Sequence, residues 1–193
     1  PGKKEETIEM EEIINSYKID TLSRSSSIFS YEKLNFFNNF FIKKDKNNKE
    51  LINYCNNNLI LQSYIDADKE KISRLFSIYK KKISYYKELE GICFNYFNKN
   101  FKTEKNKLFT KEFDIQIREF IEKLNTIKKW DIEIVENEVK KFILNKDIKF
   151  ILFGKPLRLL LINSENGPSV SDILFILGKI NSIQRINNYI TEI

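Results

Sequence analysis

An all-α fold is predicted by three features of the 193-residue sequence. Apolar residues recur three and four positions apart along nearly the whole chain, which is the period of one helix face. No stretch sustains the apolar–polar alternation of a half-buried strand. Turn dipeptides are few. Together these imply a multi-helix architecture of roughly nine to eleven helices.

The elements follow in order. Ser30 is placed to cap a helix carrying Leu34, Phe37, Phe40 and Phe41 on one face. Asp66 or Asp68 opens another, with Ile72, Leu75, Phe76 and Tyr79 at i, i+3, i+4 and i+7. Ser84 suits the start of the next, which runs to about Phe97. Thr110 precedes Phe113, Ile117, Phe120, Ile121 and Leu124, the clearest amphipathic pattern in the chain. Asp131 caps a segment holding Val135, Val139, Phe142 and Ile143. Pro156 is expected in a first helical turn, where its missing N–H leaves no bond unmade. Ser169 with Asp172 forms a variant of the capping box, Asp standing for Glu. Gly178 is expected to end that helix in a left-handed conformation, and a last helix follows with Ile183, Ile186 and Ile190 inward. The polar, unpatterned stretch FNKNFKTEKNK, residues 97–107, is the best internal boundary, and KKDKNNK, residues 43–49, a weaker one.

Composition excludes more than it assigns. Lys plus Arg exceed Asp plus Glu by 33 to 27, a formal charge of +6, which favours a polyanionic partner only weakly. The two cysteines, Cys55 and Cys93, have no CxxC spacing, so neither a disulfide framework nor a zinc site is expected, and a reduced cytoplasmic compartment fits. No apolar run approaches the ~20 residues of a membrane span. The charged N-terminus PGKKEETIEMEE does not read as a signal peptide. There is no histidine, which removes histidine triads, HExxH metal sites and histidine acid–base chemistry. Five glycines form neither GxGxxG nor GxxxxGK[ST]. No catalytic residue, metal ligand or cofactor site is therefore assigned.

Two stretches carry more than periodicity: SRSSSIFSYEKLNFFNNFFIKK, residues 23–44, and GKPLRLLLINSENGPSVSDILFILGKINSIQRI, residues 154–186. Together they resemble the C-terminal half of bacterial-type glutamyl-tRNA synthetase. Phe29, Lys33, Leu34, Asn38 and Ile42 match the pattern that ends the tRNA stem-contacting region of that family, with Ser30 where Asp is usual. Pro156, Leu157, Arg158, Gly167, Pro168, Val170, Leu174, Leu177, Gly178 and Arg185 match its C-terminal signature in order and without gaps. Trp130 before a helix extends the likeness between them, so it spans essentially the whole chain. Two departures stand out: Ile162-Asn163 replaces a usual Thr-Gly, and Lys82 lies near a position where Arg or Gln is expected.

The resemblance implies a helical cage that binds the anticodon arm. Residues 1–46 would end the stem-contacting region, and residues 47–100 and 101–193 would form two anticodon-binding subdomains. The full enzyme uses ATP with magnesium on a catalytic domain bearing HIGH-type and KMSKS-type motifs. Neither motif is present here, so this chain alone is expected to be inactive, with no cofactor of its own. The implied partner is the tRNA for glutamate, with the glutamine tRNA a second candidate. A monomer is expected. The alternative is a helical protein-interaction module with no RNA role.

The implied site comprises Arg158, Gly167, Ser169, Val170, Lys80, Lys81 and Lys82. Arg158 offers a planar fork of donors to a base edge. Gly167 lets backbone come close, Ser169 sits at a helix N-terminus, and Val170 offers an apolar contact to a base face. The three lysines offer charge to phosphates. Each has a plainer reading: an Arg158 ion pair with Glu165 or Asp172, and a solvated face for the lysines, with Lys43, Lys44 and Lys46 read likewise. The Phe-rich stripe over 34–41 is expected to pack in the core rather than stack on bases, and Trp130 to be a structural anchor.

Overall fold

The computed structural model of the chain describes residues 8–21 and 28–192. Residues 1–7, 22–27 and 193 lie outside the described residues, and with them the N-terminus and part of the expected stem-contacting segment. Regular structure among the described residues is entirely helical. The helices are α1 (Met10–Ser16), α2 (Tyr31–Lys44), α3 (Lys49–Asn56), α4 (Leu59–Ala67), α5 (Lys69–Tyr79), α6 (Glu88–Phe97), α7 (Lys111–Thr126), α8 (Ile132–Asn145), α9 (Phe150–Ile162) and α10 (Val170–Glu192), with a 3-10 turn at Ile19–Thr21.

Local capping chemistry sets most of the starts. Ser30, Asp68, Thr110 and Asp131 each accept a backbone N–H from the first turn of α2, α5, α7 and α8. Such a cap contributes about 0.5–2 kcal/mol. Ser169 Oγ accepts from Asp172 N at 3.0 Å and donates to Asp172 Oδ2 at 2.7 Å, so the Ser–Asp pair starts α10 as expected.

Three expectations are corrected. Ser84 does not start α6, which begins at Glu88; instead Glu88 Oε1 accepts from Ser84 N and Tyr85 N, and residues 84–87 form a turn. The carboxylate captures two N–H groups that a helix would have left open. Pro156 is not in the first turn of α9, which starts six residues earlier at Phe150. Burial of Phe153, Gly154 and Pro156 outweighs the bond Pro156 cannot make. The carbonyl it would have met belongs to Leu152, an exposed residue. The α2 stripe is only partly covered: Leu34, Phe37 and Phe40 are half-buried, Phe41 is exposed, and Ile42 alone in α2 is fully buried. Asn39 Nδ2 donates to Ile83 O at 2.6 Å, so α2 is held near its C-terminal end while much of its apolar face stays open.

The core is continuous from Ile42 to Tyr189. α10 is its spine, packing on α7, α8 and α9 and also on α5 and α6. Phe113, Phe120, Phe142 and Phe153 bring α7, α8 and α9 together with ring centroids 5.0–5.8 Å apart. Truncating one such ring costs about 3–5 kcal/mol. Cys55 and Cys93 are free and buried, and burial raises both thiols, to about 11 and about 12.

Gly178 breaks α10 at φ 78°, ψ 162°. The break was expected, but ψ places it outside the left-handed helical region, in backbone space that is essentially glycine's. Helix-end carbonyls before the break find other donors. Trp130 Nε1 donates to Leu174 O at 3.1 Å, Ser182 Oγ to the same carbonyl at 3.3 Å, and Asn181 Nδ2 to Leu177 O at 2.9 Å. Trp130 is thus the structural anchor expected of it.

Candidate nucleic-acid interface

Two remote segments meet at the loop between α9 and α10. Arg158, on α9, donates from Nε to Pro168 O at 2.9 Å. Lys82, in the α5–α6 connection, donates from Nζ to Gly167 O at 2.7 Å across 85 positions of sequence. Two cationic side chains therefore hold consecutive carbonyls of one loop. Carbonyls screen a cation without neutralising it, so the loop keeps a positive flank.

Arg158 is half-buried and no acid neutralises it among the described residues. Asp172 is taken by Arg74, whose Nε and Nη2 reach its Oδ1 at 3.1 and 2.6 Å, and Glu165 forms no ion pair among the described residues. The plainer reading of Arg158 as an ion-pair partner is thereby removed. Its terminal nitrogens make no hydrogen bond to a described residue. Burial lowers its pKa, while the hydroxyls of Tyr79 and Tyr96 work the other way. Tyr79 is buried beside it, its hydroxyl 3.3 Å from that of Tyr96.

The loop geometry explains the Ile162-Asn163 departure. Asn163 ends α9 at φ 51°, ψ 37°, the left-handed conformation a glycine would supply and Asn tolerates. Its side chain adds what glycine could not: Nδ2 donates to Lys102 O at 2.9 Å and Oδ1 accepts from Glu104 N at 3.1 Å. Ile162 is buried, with its Cδ1 beside Gly167.

The other expected residues divide. Gly167 is half-buried; a Cβ there would make only ordinary contacts, 3.6 Å to Ile162 and 3.7 Å to Tyr79, so packing in this state does not demand glycine. Ser169 is exposed, its hydroxyl engaged by Asp172 and Ser171. Val170 is 1% exposed and faces the core, so it presents no open face to a ligand here. It borders a pocket of about 380 Å³ lined in part by Val139, Ile143, Phe150, Ser169 and Ser171; Arg158 does not line it. Lys81 is exposed and makes no ion pair among the described residues. Lys80 donates to Asp45 O and to Asn48 Oδ1, clamping the α2–α3 turn. Lys44 pairs with Glu9, while Lys43 and Lys46 are exposed.

Two residues of this site escaped the sequence reading. Phe150 and Gly154 lie eight and four positions before Arg158 on the same face of α9, and the Arg158 Cζ sits 5.6 Å from the Phe150 ring centroid. The i, i+4, i+8 spacing is visible in the sequence only once α9 is extended back past Pro156.

Among the described residues no cluster of three or more His, Cys, Asp or Glu could hold a metal ion, and no helix is long and apolar enough to cross a membrane.

A family model described as "Anticodon binding domain" matches residues 47–190. Proteins named "Glutamate--tRNA ligase" from Parabacteroides distasonis and Wigglesworthia glossinidia brevipalpis are 29% and 30% identical, over 98% and 94% of this chain. The chain spans only 38% and 39% of their lengths. A solved glutamate tRNA ligase from Elizabethkingia meningosepticum superposes with a TM-score of 0.74 at 20% identity, over 95% of this chain and 37% of that one. A glutamate-tRNA synthetase structure from Elizabethkingia anophelis gives 0.70, also at 20% identity. At that identity the likeness establishes the shared helical fold.

Proposed function

The chain belongs to the anticodon binding domain family, and from that premise we propose that it recognises the anticodon arm of the tRNA for glutamate, as part of a glutamate–tRNA ligase. One observation carries the reading: a half-buried guanidinium, oriented through Nε by Pro168 O and unneutralised by any described acid, keeps its terminal nitrogens available. An unstacked anticodon base offers the edge acceptors that such a fork can meet with two parallel bonds. Each good bidentate contact is worth about 1–3 kcal/mol of discrimination. Lys81 and Lys82, both exposed, supply charge for phosphates, which adds a salt-dependent and sequence-independent attraction.

In this reading residues up to 46 end a stem-contacting region, and residues 47–100 and 101–193 are two anticodon-binding subdomains joined along α10. ATP and magnesium serve the activation of glutamate on residues other than these, and the site of action is the cytoplasm, as a monomer. The interaction-module alternative has less support, because the family match covers three-quarters of the chain (residues 47–190).

The test is a binding titration with glutamate and glutamine tRNA transcripts, each also made with a scrambled anticodon, at about 50 and 200 mM salt. Glutamate tRNA is expected to bind more tightly than its scrambled form at both salts, with both affinities falling as salt rises. Equal affinity for the intact and scrambled forms refutes anticodon reading. Binding indifferent to salt refutes the phosphate role of the lysines.

A further inference from the structure

We infer that Phe150 and Gly154 are positioning residues for Arg158: the glycine leaves a seat in the surface of α9, the phenyl ring fills it, and the ring holds the guanidinium at the orientation a base edge requires. The inference rests on the reading of Arg158 as a base reader. Three observations on one helix face carry it.

The seat is steric. A Cβ on Gly154 would stand 2.8 Å from both Cε1 and Cζ of Phe150, closer than real Cβ contacts come. Gly154 lies within α9 and is buried, so the ring itself covers the glycine. Glycine inside a helix disfavours it relative to alanine, and here the missing methyl has a use: the tip of an aromatic ring occupies its place. The platform is electrostatic. Arg158 Cζ lies 5.6 Å from the Phe150 ring centroid, within range for attraction between a guanidinium and the negative face of a ring. The second hold is the Nε bond to Pro168 O. A ring contact and one directional bond at Nε together restrict the guanidinium plane, which a single contact does not. Neither occupies the terminal nitrogens. Phe150 is 46% exposed, so this arrangement stands at the surface, where an RNA loop can reach it.

Pre-orientation matters because arginine is rotamer-rich, and freezing it on binding subtracts from affinity. A guanidinium already held by a ring meets its base with less ordering left to do.

The test uses the whole 193-residue chain with Phe150→Leu, Phe150→Trp, Gly154→Ala and Arg158→Ala. The probe is a synthetic anticodon-arm hairpin of glutamate tRNA, alongside the same hairpin with its anticodon scrambled. The readout is the ratio of the two affinities, with thermal melting as a control for folding. Phe150→Leu is expected to lower the ratio about 2- to 5-fold, and Phe150→Trp, which keeps an aromatic face, to preserve it. Gly154→Ala raises helix propensity while evicting the ring, so it is expected to lower the ratio without lowering the melting temperature. A structural role alone would move melting and leave the ratio unchanged. A second readout needs no RNA. In the free protein the Arg158 δ and ε protons are expected to show a ring-current shift that Phe150→Leu abolishes and Phe150→Trp retains.

A lowered ratio in Arg158→Ala with an unchanged ratio in Phe150→Leu overturns the positioning inference and leaves the reading of Arg158 intact. Unchanged ratios in both overturn the reading of Arg158, and the inference with it. A lowered ratio in Phe150→Leu with no ring-current shift in the free protein assigns the ring to direct contact with RNA, and also overturns positioning.

Discussion

Arg158 and Arg185 are both arginines without an acid partner among the described residues, and they do opposite things. Arg185 is 6% exposed. Its Nη1 donates to Asn95 O at 2.8 Å and to Leu161 O, and its Nη2 donates to Tyr96 O at 2.9 Å, while its Cζ lies 3.7 Å from the Phe101 ring centroid. Those carbonyls belong to the last turns of α6 and α9, where helices leave acceptors unpaired and carry negative partial charge. One cation from α10 therefore ties the ends of two helices together. Burial pushes its pKa down to about 10, still well above neutrality, so it stays charged. Arg158 has one carbonyl at Nε and its terminal nitrogens uncommitted. A missing acid partner thus does not by itself mark a recognition site. What separates the two is that the terminal nitrogens of Arg158 are uncommitted and those of Arg185 are not.

The largest effect expected from breaking this comparison is at Arg185. Arg185→Met removes three bonds to helix ends, two of them buried, and should lower folding stability by about 3–5 kcal/mol in urea denaturation. If the variant unfolds at the wild-type midpoint, the clamp is ornamental. Arg158→Ala should leave stability within about 1 kcal/mol yet weaken cognate tRNA by about 1–3 kcal/mol. An equal loss for scrambled tRNA would remove its base-reading role. The lysines sharpen the same contrast on a smaller scale. Lys80→Met should cost about 1 kcal/mol of stability with a smaller change in the salt slope, because its side chain is half-buried and tied into the α2–α3 turn by Asp45 O and Asn48, whereas Lys82 is exposed. Lys82→Met should reduce the salt slope of tRNA binding by about 1, and reversed outcomes at these two positions would reverse their assignments.

The Tyr79–Tyr96 pair lies between the two arginines and gives the smallest test. Burial raises both phenol pKa values. The folded state therefore keeps protons that the unfolded chain releases above about pH 10. Its stability should be unaffected below that pH and fall as pH rises above it. Tyr96→Phe should flatten the alkaline decline seen in denaturation midpoints between about pH 9 and 11, and an unchanged slope would count against the pair.

Much of the fold was legible because its signals are local. Ser30, Thr110, Asp131 and Ser169 announce helix starts through short-range side-chain bonds, and the α7 stripe from Phe113 to Leu124 is buried throughout. Misreadings occurred where distant structure outweighs local preference. Glu88 captured two N–H groups that Ser84 was expected to organise, and burial around Phe153 carried α9 past the proline. In the site, residue types were legible and roles were not. Nothing in KKK distinguishes a turn clamp at Lys80 from a loop contact at Lys82; the α2–α3 turn and the α9–α10 loop that separate them lie far away in sequence.

Both hands on the α9–α10 loop, Lys82 and Arg158, grip main-chain oxygens of Gly167 and Pro168. Every amino acid carries such an oxygen. The identities at 164–166 can therefore be redrawn, by drift or by design, while the grip persists. If the proposed tRNA reading holds, a library randomised over those three positions offers a way to retune which RNA loop is accepted without rebuilding its scaffold.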